Sequence, residues 1–241
     1  MRSVNVLVLI SLAVLVLTAC GKDSSPGSDD AASTTTPVAG GATATTAIAP
    51  RSARDGCRAV APPTPSEDPT GSRSAKKLSS KRRHVAVLRT NCGTISIALD
   101  VKRSPKTTSS FAGLVRDGFY DGLSFHRVAK PGGNDYVIQG GDPLGTGNGG
   151  PGYSVVEAPA KKTRYVRGVV AMAKTAEEAR GTSGSQFFIV TADEAPLPPD
   201  YALLGRVSGD TSAVRRIARL ATDAVSEMPV DPVVIESARI R

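Results

Sequence analysis

Apolar and polar residues alternate from His84 to Arg89 and again from Thr94 to Leu99, with Asn91-Cys92-Gly93 between them. A period of two marks strands with one buried face, and the short link marks a β-hairpin. The period then lengthens. Ser104-Pro105 reads as an N-cap followed by proline at the first helical position. A helix from Pro105 to about Asp117 would place Phe111, Leu114 and Val115 on one face and stop at Gly118. Short apolar runs around Ser124–Ala129, Tyr136–Gly140, Gly168–Lys174, Gln186–Thr191 and Leu203–Val207 predict further strands. Asp210 can cap a second helix, in which Val214, Ile217 and Leu220 recur at spacing three, and Pro232–Ile240 reads as a last strand. Leu144–Gly152 carries five glycines and reads as loop. Many strands, two amphipathic helices and no βαβ alternation predict a mainly β fold, a closed eight-stranded antiparallel barrel capped by two α-helices.

The N-terminal third has a different pattern. Val4–Leu17 is apolar except for Asn5 and Ser11, follows the basic Arg2, and is short for a membrane span. From Gly21 to Pro50 the chain is mostly Ala, Thr, Ser, Gly and Pro, too poor in apolar bulk to offset its ordering entropy. All five Phe and all five Tyr lie between Phe111 and Tyr201. Aromatic burial dominates core energetics, so the compact domain is expected around that window. The organisation expected is a signal segment at 1–19, a disordered tether at 20–83 and one domain at 84–241.

Leu17-Thr18-Ala19-Cys20-Gly21, small residues before a cysteine directly after an apolar run, resembles a bacterial lipobox. The resemblance implies lipidation at Cys20, cleavage before it, and a lipoprotein held at the extracytoplasmic side of the cell membrane. An ordinary signal peptide or a spanning anchor is the competing reading. With Cys20 used, Cys57 and Cys92 remain. Outside the cytoplasm they can pair, closing a loop of about 36 residues at a gain of roughly 3–4 kcal/mol on the chain-entropy model. Two free thiols are the alternative.

Net charge is +8, and five basic residues fall within Lys76–Arg83. Such a run can bind nucleic acid. Here it has no interleaved aromatics and sits beside an export signal, so no nucleic-acid partner is expected and the run reads as a solvated stretch.

Three strings carry candidate chemistry: Ser124-Phe125-His126-Arg127-Val128, then Tyr136-Val137-Ile138-Gln139-Gly140-Gly141-Asp142, then Gly184-Ser185-Gln186-Phe187-Phe188-Ile189. They bring one arginine and two glutamines into an apolar, aromatic neighbourhood without an obvious nucleophile. That set suits a bond rotation, in which nothing is attacked. Taken singly, Phe188, Met172 and Leu197 would be core residues of most β-proteins, Gln139 a satisfied barrel glutamine, and Arg127 a surface charge.

Together and in this order, the strings resemble the cyclophilin family of peptidyl-prolyl isomerases, over about two thirds of the chain. The resemblance implies catalysis of X–Pro rotation in proline-containing polypeptides, without cofactor or metal, by a protein expected to be monomeric. Carried over by matching position, Arg127 is the donor to the twisting amide and Gln139 orients it. The slot for the proline ring is formed by Tyr136, Met172, Phe188 and Leu197, with Gln186 nearby. The Ala173 and Lys174 backbone pairs with the peptide, and His126 and Tyr201 complete the rim. A cyclophilin-shaped peptide-binding adaptor is the alternative; the presence of both Arg127 and Gln139 favours the enzyme.

The chain departs from the family pattern at several places. Tyr136 stands where many relatives have phenylalanine, and Lys174 where asparagine is frequent. Pro196 stands where many have a tryptophan that helps bind cyclosporin, so strong inhibition is not implied. The segment Lys174–Ser183 is longer than in many relatives and charged. Gly145–Gly150 satisfies G-x-G-x-x-G, but Pro151-Gly152 follows instead of a helix, which excludes a dinucleotide site. Only His84 and His126 exist, and no Cys/His spacing suits a metal.

Overall fold

The computed structural model describes residues 56–66 and 76–241. The expected signal segment, Cys20 and most of the expected tether lie outside them. Twelve strands, two α-helices and a 3-10 helix at Pro131–Gly133 make up the described regular structure. In chain order these are β1 (Val85–Thr90), β2 (Gly93–Leu99), α1 (Pro105–Arg116), β3 (Arg127–Ala129), β4 (Val137–Gly140), β5 (Val155–Val156) and β6 (Tyr165–Val166). β7 (Val169–Met172), β8 (Thr182–Ser183), β9 (Phe187–Val190), β10 (Glu194–Ala195), β11 (Leu203–Val207), α2 (Ser212–Arg219) and β12 (Ile235–Ile240) follow. Eight strands form one sheet in the order β12-β1-β2-β11-β7-β9-β4-β3, and every neighbouring pair is antiparallel. β5 with β8 and β6 with β10 make two short separate ladders.

The hairpin at β1 and β2 has the expected in-out pattern: Ala86, Leu88, Ile95 and Ile97 are buried, and the strands pair from Val85↔Ala98 to Thr90↔Gly93. Helix α1 buries more than its apolar stripe. Thr107, Thr108, Ser109 and Ser110 are buried beside Phe111, Leu114 and Val115. Their hydroxyls are satisfied locally where they turn back: Thr108 Oγ1 donates to the Ser104 carbonyl (2.7 Å) and Ser109 Oγ to that of Pro105 (2.6 Å). Ser104 holds the N-cap position, but its side chain makes no capping bond. The first-turn amides of Lys106 and Thr107 donate instead to the Glu157 carboxylate, at 3.2 and 2.8 Å. A distant carboxylate thus meets the positive end of the helix dipole. In α2 the N-cap is Thr211, one residue after the expected Asp210, and the Asp210 carboxylate accepts from the Ser212 amide (2.8 Å).

The main core gathers α1, α2 and one face of the sheet. At its centre Phe111, Tyr120, Phe125 and Phe187 meet with ring centroids 4.8–5.9 Å apart. A smaller cluster lies apart from it, around Ala129, Val137, Tyr165, Ala171, Phe188, Val190 and Leu203.

The sheet is mainly antiparallel and flanked by two helices as expected, but it is not a closed barrel. It is an open, curled half-barrel whose edge strands, β3 and β12, share no ladder. The segment before β3 stitches across that seam: the Gly122 amide to the Ile235 carbonyl (2.7 Å), the Ile235 amide to that of Leu123 (2.7 Å), the Phe125 amide to that of Val233 (2.9 Å), and the Ala238 amide and Arg239 to the Asp121 carboxylate (2.7 and 2.9 Å). Beside β3 itself runs the loop from Ala221 to Pro232, which offers one acceptor, the Glu227 carbonyl, to the Val128 amide (2.8 Å). Pro229 and Pro232 in that loop have no N–H to give a ladder.

The described parts of the N-terminal arm are fastened to the domain. Cys57 and Cys92 form a disulfide at a sequence separation of 35. Around it Asn91 acts as a clasp. Its Nδ2 donates to the carbonyls of Arg58 (2.7 Å) and Pro232 (3.0 Å), and its Oδ1 accepts from the Val234 amide (2.9 Å). Farther along, the Ser66 amide donates to the Pro143 carbonyl (3.0 Å), and Leu78 is buried with its amide on Ser109 Oγ (3.0 Å). Among the described residues no helix is long and apolar enough to cross a membrane.

Candidate active site

Strand register brings the first set of predicted residues into one row. Arg127 on β3 stands opposite Gln139 on β4, Gln139 opposite Phe188 on β9, and Phe188 opposite Ala171 on β7. Opposed residues in antiparallel strands project from the same face. The three strings, far apart in sequence, therefore present Arg127, Gln139 and Phe188 side by side.

A directed chain of hydrogen bonds runs through this row. Arg127 Nη1 donates to Gln139 Oε1 (3.3 Å), and Gln139 Nε2 donates to Gln186 Oε1 (2.9 Å). Gln186 Nε2 donates in turn to the carbonyls of Gly147 and Gly149, both at 2.8 Å. Those carbonyls belong to the glycine-rich loop, which the buried Asp142 holds. The Asp142 carboxylate accepts from the amides of Leu144 (2.9 Å), Thr146 (2.9 Å) and Gly147 (2.5 Å). The approach is so close that a Cβ at Gly149 would sit 2.0 Å from Asp142 Oδ1. On its other side Arg127 donates from Nε to Glu227 Oε2 (2.5 Å). Its Nη2 has no hydrogen bond among the described residues.

Beside this chain lies the smaller apolar cluster. Tyr136, Ala173, Leu197 and Tyr201 are partly buried against it. Phe188 forms its floor at 4% exposure, with the Tyr201 ring edge-on at 5.4 Å and the Tyr165 ring at 6.2 Å. The Tyr165 hydroxyl fixes Tyr201, donating to its carbonyl (2.7 Å) and accepting from its amide (3.0 Å). Burial, above all, pushes the Tyr165 hydroxyl up to about 12, so it stays protonated. Burial also raises Tyr136, helped by Tyr201 and opposed by Arg127. Lys174 Nζ lies 5.8 Å from the Tyr201 ring centroid and donates to the carbonyls of Thr175 (2.8 Å) and Glu178 (3.1 Å), closing the start of the charged loop on itself. The Ala173 amide is engaged by the Gln186 carbonyl (2.9 Å).

Two predicted residues do not join the slot. Met172 pairs with Phe187, one step along from the Ala171–Phe188 pair, and so points to the opposite face, where it is buried in the main core. A one-residue step in a strand reverses the side chain's face. Its place in the small cluster is taken by Val137, next to Tyr136 and 3% exposed, which sequence reasoning passed over. His126 is not on the rim. It is 6% exposed, and neither ring nitrogen has a partner among the described residues. Burial lowers its pKa from 6.5; Asp142 opposes that shift and Arg127 adds to it, so the ring is neutral at neutral pH. Tyr165 and Glu227 were also missed. A tyrosine in a two-residue ladder and a glutamate in a loop carry no sequence signal of their role.

Comparison with known proteins gives the family. The family model described as cyclophilin type peptidyl-prolyl cis-trans isomerase/CLD matches residues 85–240. The chain is 38% identical over 173 residues to peptidyl-prolyl cis-trans isomerase A of Mycobacterium tuberculosis, covering 64% of this chain and 91% of that protein. It is 35% identical over 142 residues to a peptidyl-prolyl cis-trans isomerase of Helicobacter pylori, covering 58% and 83%. A solved cyclophilin type isomerase of Cryptosporidium parvum superposes with a TM-score of 0.59 at 28% identity, covering 66% of this chain and 98% of that one. The same parasite protein has been solved in the presence of the dipeptide Ala-Pro, with a TM-score of 0.58 at 29% identity.

Proposed function

Because this chain belongs to the cyclophilin-type peptidyl-prolyl cis-trans isomerases, we propose that the Arg127–Gln139 pair and the Phe188 slot are its catalytic centre, and that exported polypeptides are its substrates. Rotation about an X–Pro bond is slow because the amide is conjugated, with a barrier of about 18–20 kcal/mol. In the twisted state conjugation is lost and the prolyl nitrogen gains a lone pair. A fixed cationic donor at that nitrogen stabilises the twisted state and neither planar isomer, which is what lowers a barrier.

Arg127 is that donor in this reading. Two of its nitrogens are held, by Gln139 and Glu227, which leaves Nη2 for the substrate. Tyr136, Val137, Phe188 and Leu197 hold the proline ring while the preceding carbonyl swings. Of Ala173, only the carbonyl is left for the peptide. The observation that carries this reading is the 3.3 Å bond from Arg127 to Gln139 beside an apolar floor. The relative solved with Ala-Pro supports a proline-containing ligand. Arg127→Lys keeps the charge and loses the planar fork. Its kcat/KM on a short proline peptide should fall by about 100-fold or more with the fold intact. A lysine variant at wild-type rate would remove Arg127 from the chemistry.

The place of action follows from the N-terminus. The apolar run Val4–Leu17 and the lipobox-like Leu17–Gly21 support lipidation at Cys20 and attachment to the outer side of the cell membrane. The Cys57–Cys92 disulfide supports an oxidising compartment. A client of such an enzyme is a newly exported chain passing near the membrane. Cys20→Ser should release the protein to the soluble fraction or block its processing. Membrane retention of a correctly cleaved Cys20→Ser protein would sink the anchor.

A further inference from the structure

Glu227 is the only non-glycine among the described residues whose backbone sits in the left-handed region, with φ at 57°. A residue with a Cβ carries a steric cost there that glycine avoids, and such outliers cluster where function over-determines them. The surroundings of Glu227 fix that conformation. Its amide donates to the Asp223 carbonyl (3.0 Å), and its own carbonyl accepts from the Val128 amide (2.8 Å), one residue after Arg127. The turn before it is tied by the Asp223 carboxylate, which accepts from the amides of Val225 (3.0 Å) and Ser226 (2.8 Å) and from Ser226 Oγ (2.9 Å). Those bonds draw the Asp223 pKa down, in keeping with a carboxylate held ionised in place. The product of this arrangement is one contact: the Glu227 carboxylate on Arg127 Nε at 2.5 Å.

An arginine has a long flexible stem, and a single bond from Gln139 leaves its fork free to swivel. A second bond on a different nitrogen removes that freedom. Both partners are part-exposed, with side chains 38% and 30% accessible, so the pair adds little to folding. Its worth lies in orientation. We propose that Glu227 is a positioning residue for the isomerase reaction: held left-handed by the Asp223 turn, it clamps Arg127 Nε so that Nη2 faces the prolyl nitrogen in the twisted state. The inference rests on the assignment of Arg127 as the donor.

Glu227→Gly is the informative substitution, because glycine is the residue that backbone favours while the carboxylate is lost. Its kcat on a proline peptide should fall about tenfold, the order expected when a charged hydrogen bond on a reacting group is removed. Peptide affinity measured by NMR titration should be unchanged, and the thermal midpoint should stay within about 3 °C of wild type. Glu227→Gln keeps the length and one acceptor oxygen, and should recover most of the loss. In an Arg127→Lys background, Glu227→Gly should cost nothing further, since it acts through a fork that is no longer there. A Glu227→Gly enzyme with unchanged or faster kcat overturns the proposal, as does an equal further loss in the Arg127→Lys background. If Arg127→Lys itself keeps wild-type rate, the assignment of Arg127 fails instead, and the two failures are distinct.

Discussion

Gln186 links the glycine loop to the proposed catalytic pair, and Gln186→Leu tests whether that link matters. The substitution keeps the volume and removes both polar atoms. Three hydrogen bonds disappear, at 2.9, 2.8 and 2.8 Å. Gly147 and Gly149 lie on a partly exposed loop, so water can take over their carbonyls. Gln139 Nε2 is left without its partner, a cost of about 1–3 kcal/mol if water does not reach it. Stability should therefore fall by about 1–3 kcal/mol. Gln139 can relieve itself by rotating, which withdraws Oε1 from Arg127. Re-ordering an arginine side chain costs up to about 1.5–2 kcal/mol. At about 1.4 kcal/mol per tenfold, kcat/KM should drop by about 10- to 30-fold. The assay is peptide isomerisation by exchange NMR, with urea unfolding of the same preparations. A variant destabilised as expected but isomerising at wild-type rate would refute the argument, because the polar chain would then be holding the loop and not the arginine.

Replacing both Cys57 and Cys92 by alanine opens a loop of about 36 residues and should lower stability by roughly 3–4 kcal/mol. At about 2–4 °C per kcal/mol this is a fall of about 6–16 °C in thermal midpoint, and a loss under 1 kcal/mol would mean that Asn91 and Leu78 hold the arm alone. The buried, unpartnered His126 has a depressed pKa, so as pH falls below about 6.5 the unfolded chain takes up a proton that the folded state resists. Urea midpoints should accordingly drop between pH 7.5 and 5.5 in the wild type. His126→Leu should flatten that drop, and an equal drop in the variant would exclude this ring as its cause.

Much of this fold is legible in the chain because one-sided burial writes a period. β1 and β2 alternate because their outer face meets solvent, and α1 shows its cap proline and its closing glycine. The site was legible in part because Arg127, Gln139 and Phe188 fall within short strings that strand register aligns. Parity was not legible. β9 is buried at every position and β7 at all but its first, so neither alternates, and nothing in Val169–Met172 says which face Met172 takes. Only its pairing with Phe187 decides. The two-residue ladders at β5–β8 and β6–β10 are too short to carry a period at all. His126 was expected on the rim from the resemblance, yet its side chain is buried. Glu227 is invisible for a different reason: its part depends on a backbone angle that glutamate does not advertise. Closure of the sheet failed as an expectation because strand counting does not see that β3, only three residues long, meets the loop from Ala221 to Pro232 and not β12.

The clasp at Cys57 also decides how the domain bears load. A pull on the chain ahead of Cys57 passes through two sulfurs into the turn between β1 and β2, and the stretch from Arg58 to Asn91 carries none of the tension. The strand that follows Cys92 is β2, hydrogen-bonded on both flanks, to β1 and to β11, and the load reaches it at its first residue. Reduced, the same chain would take the strain at Leu78 and then at Val85, where β1 can be peeled from its neighbours one pair at a time. With the chain held at Cys20 as proposed, oxidation takes β1 and everything from Arg58 to Asn91 out of the loaded path.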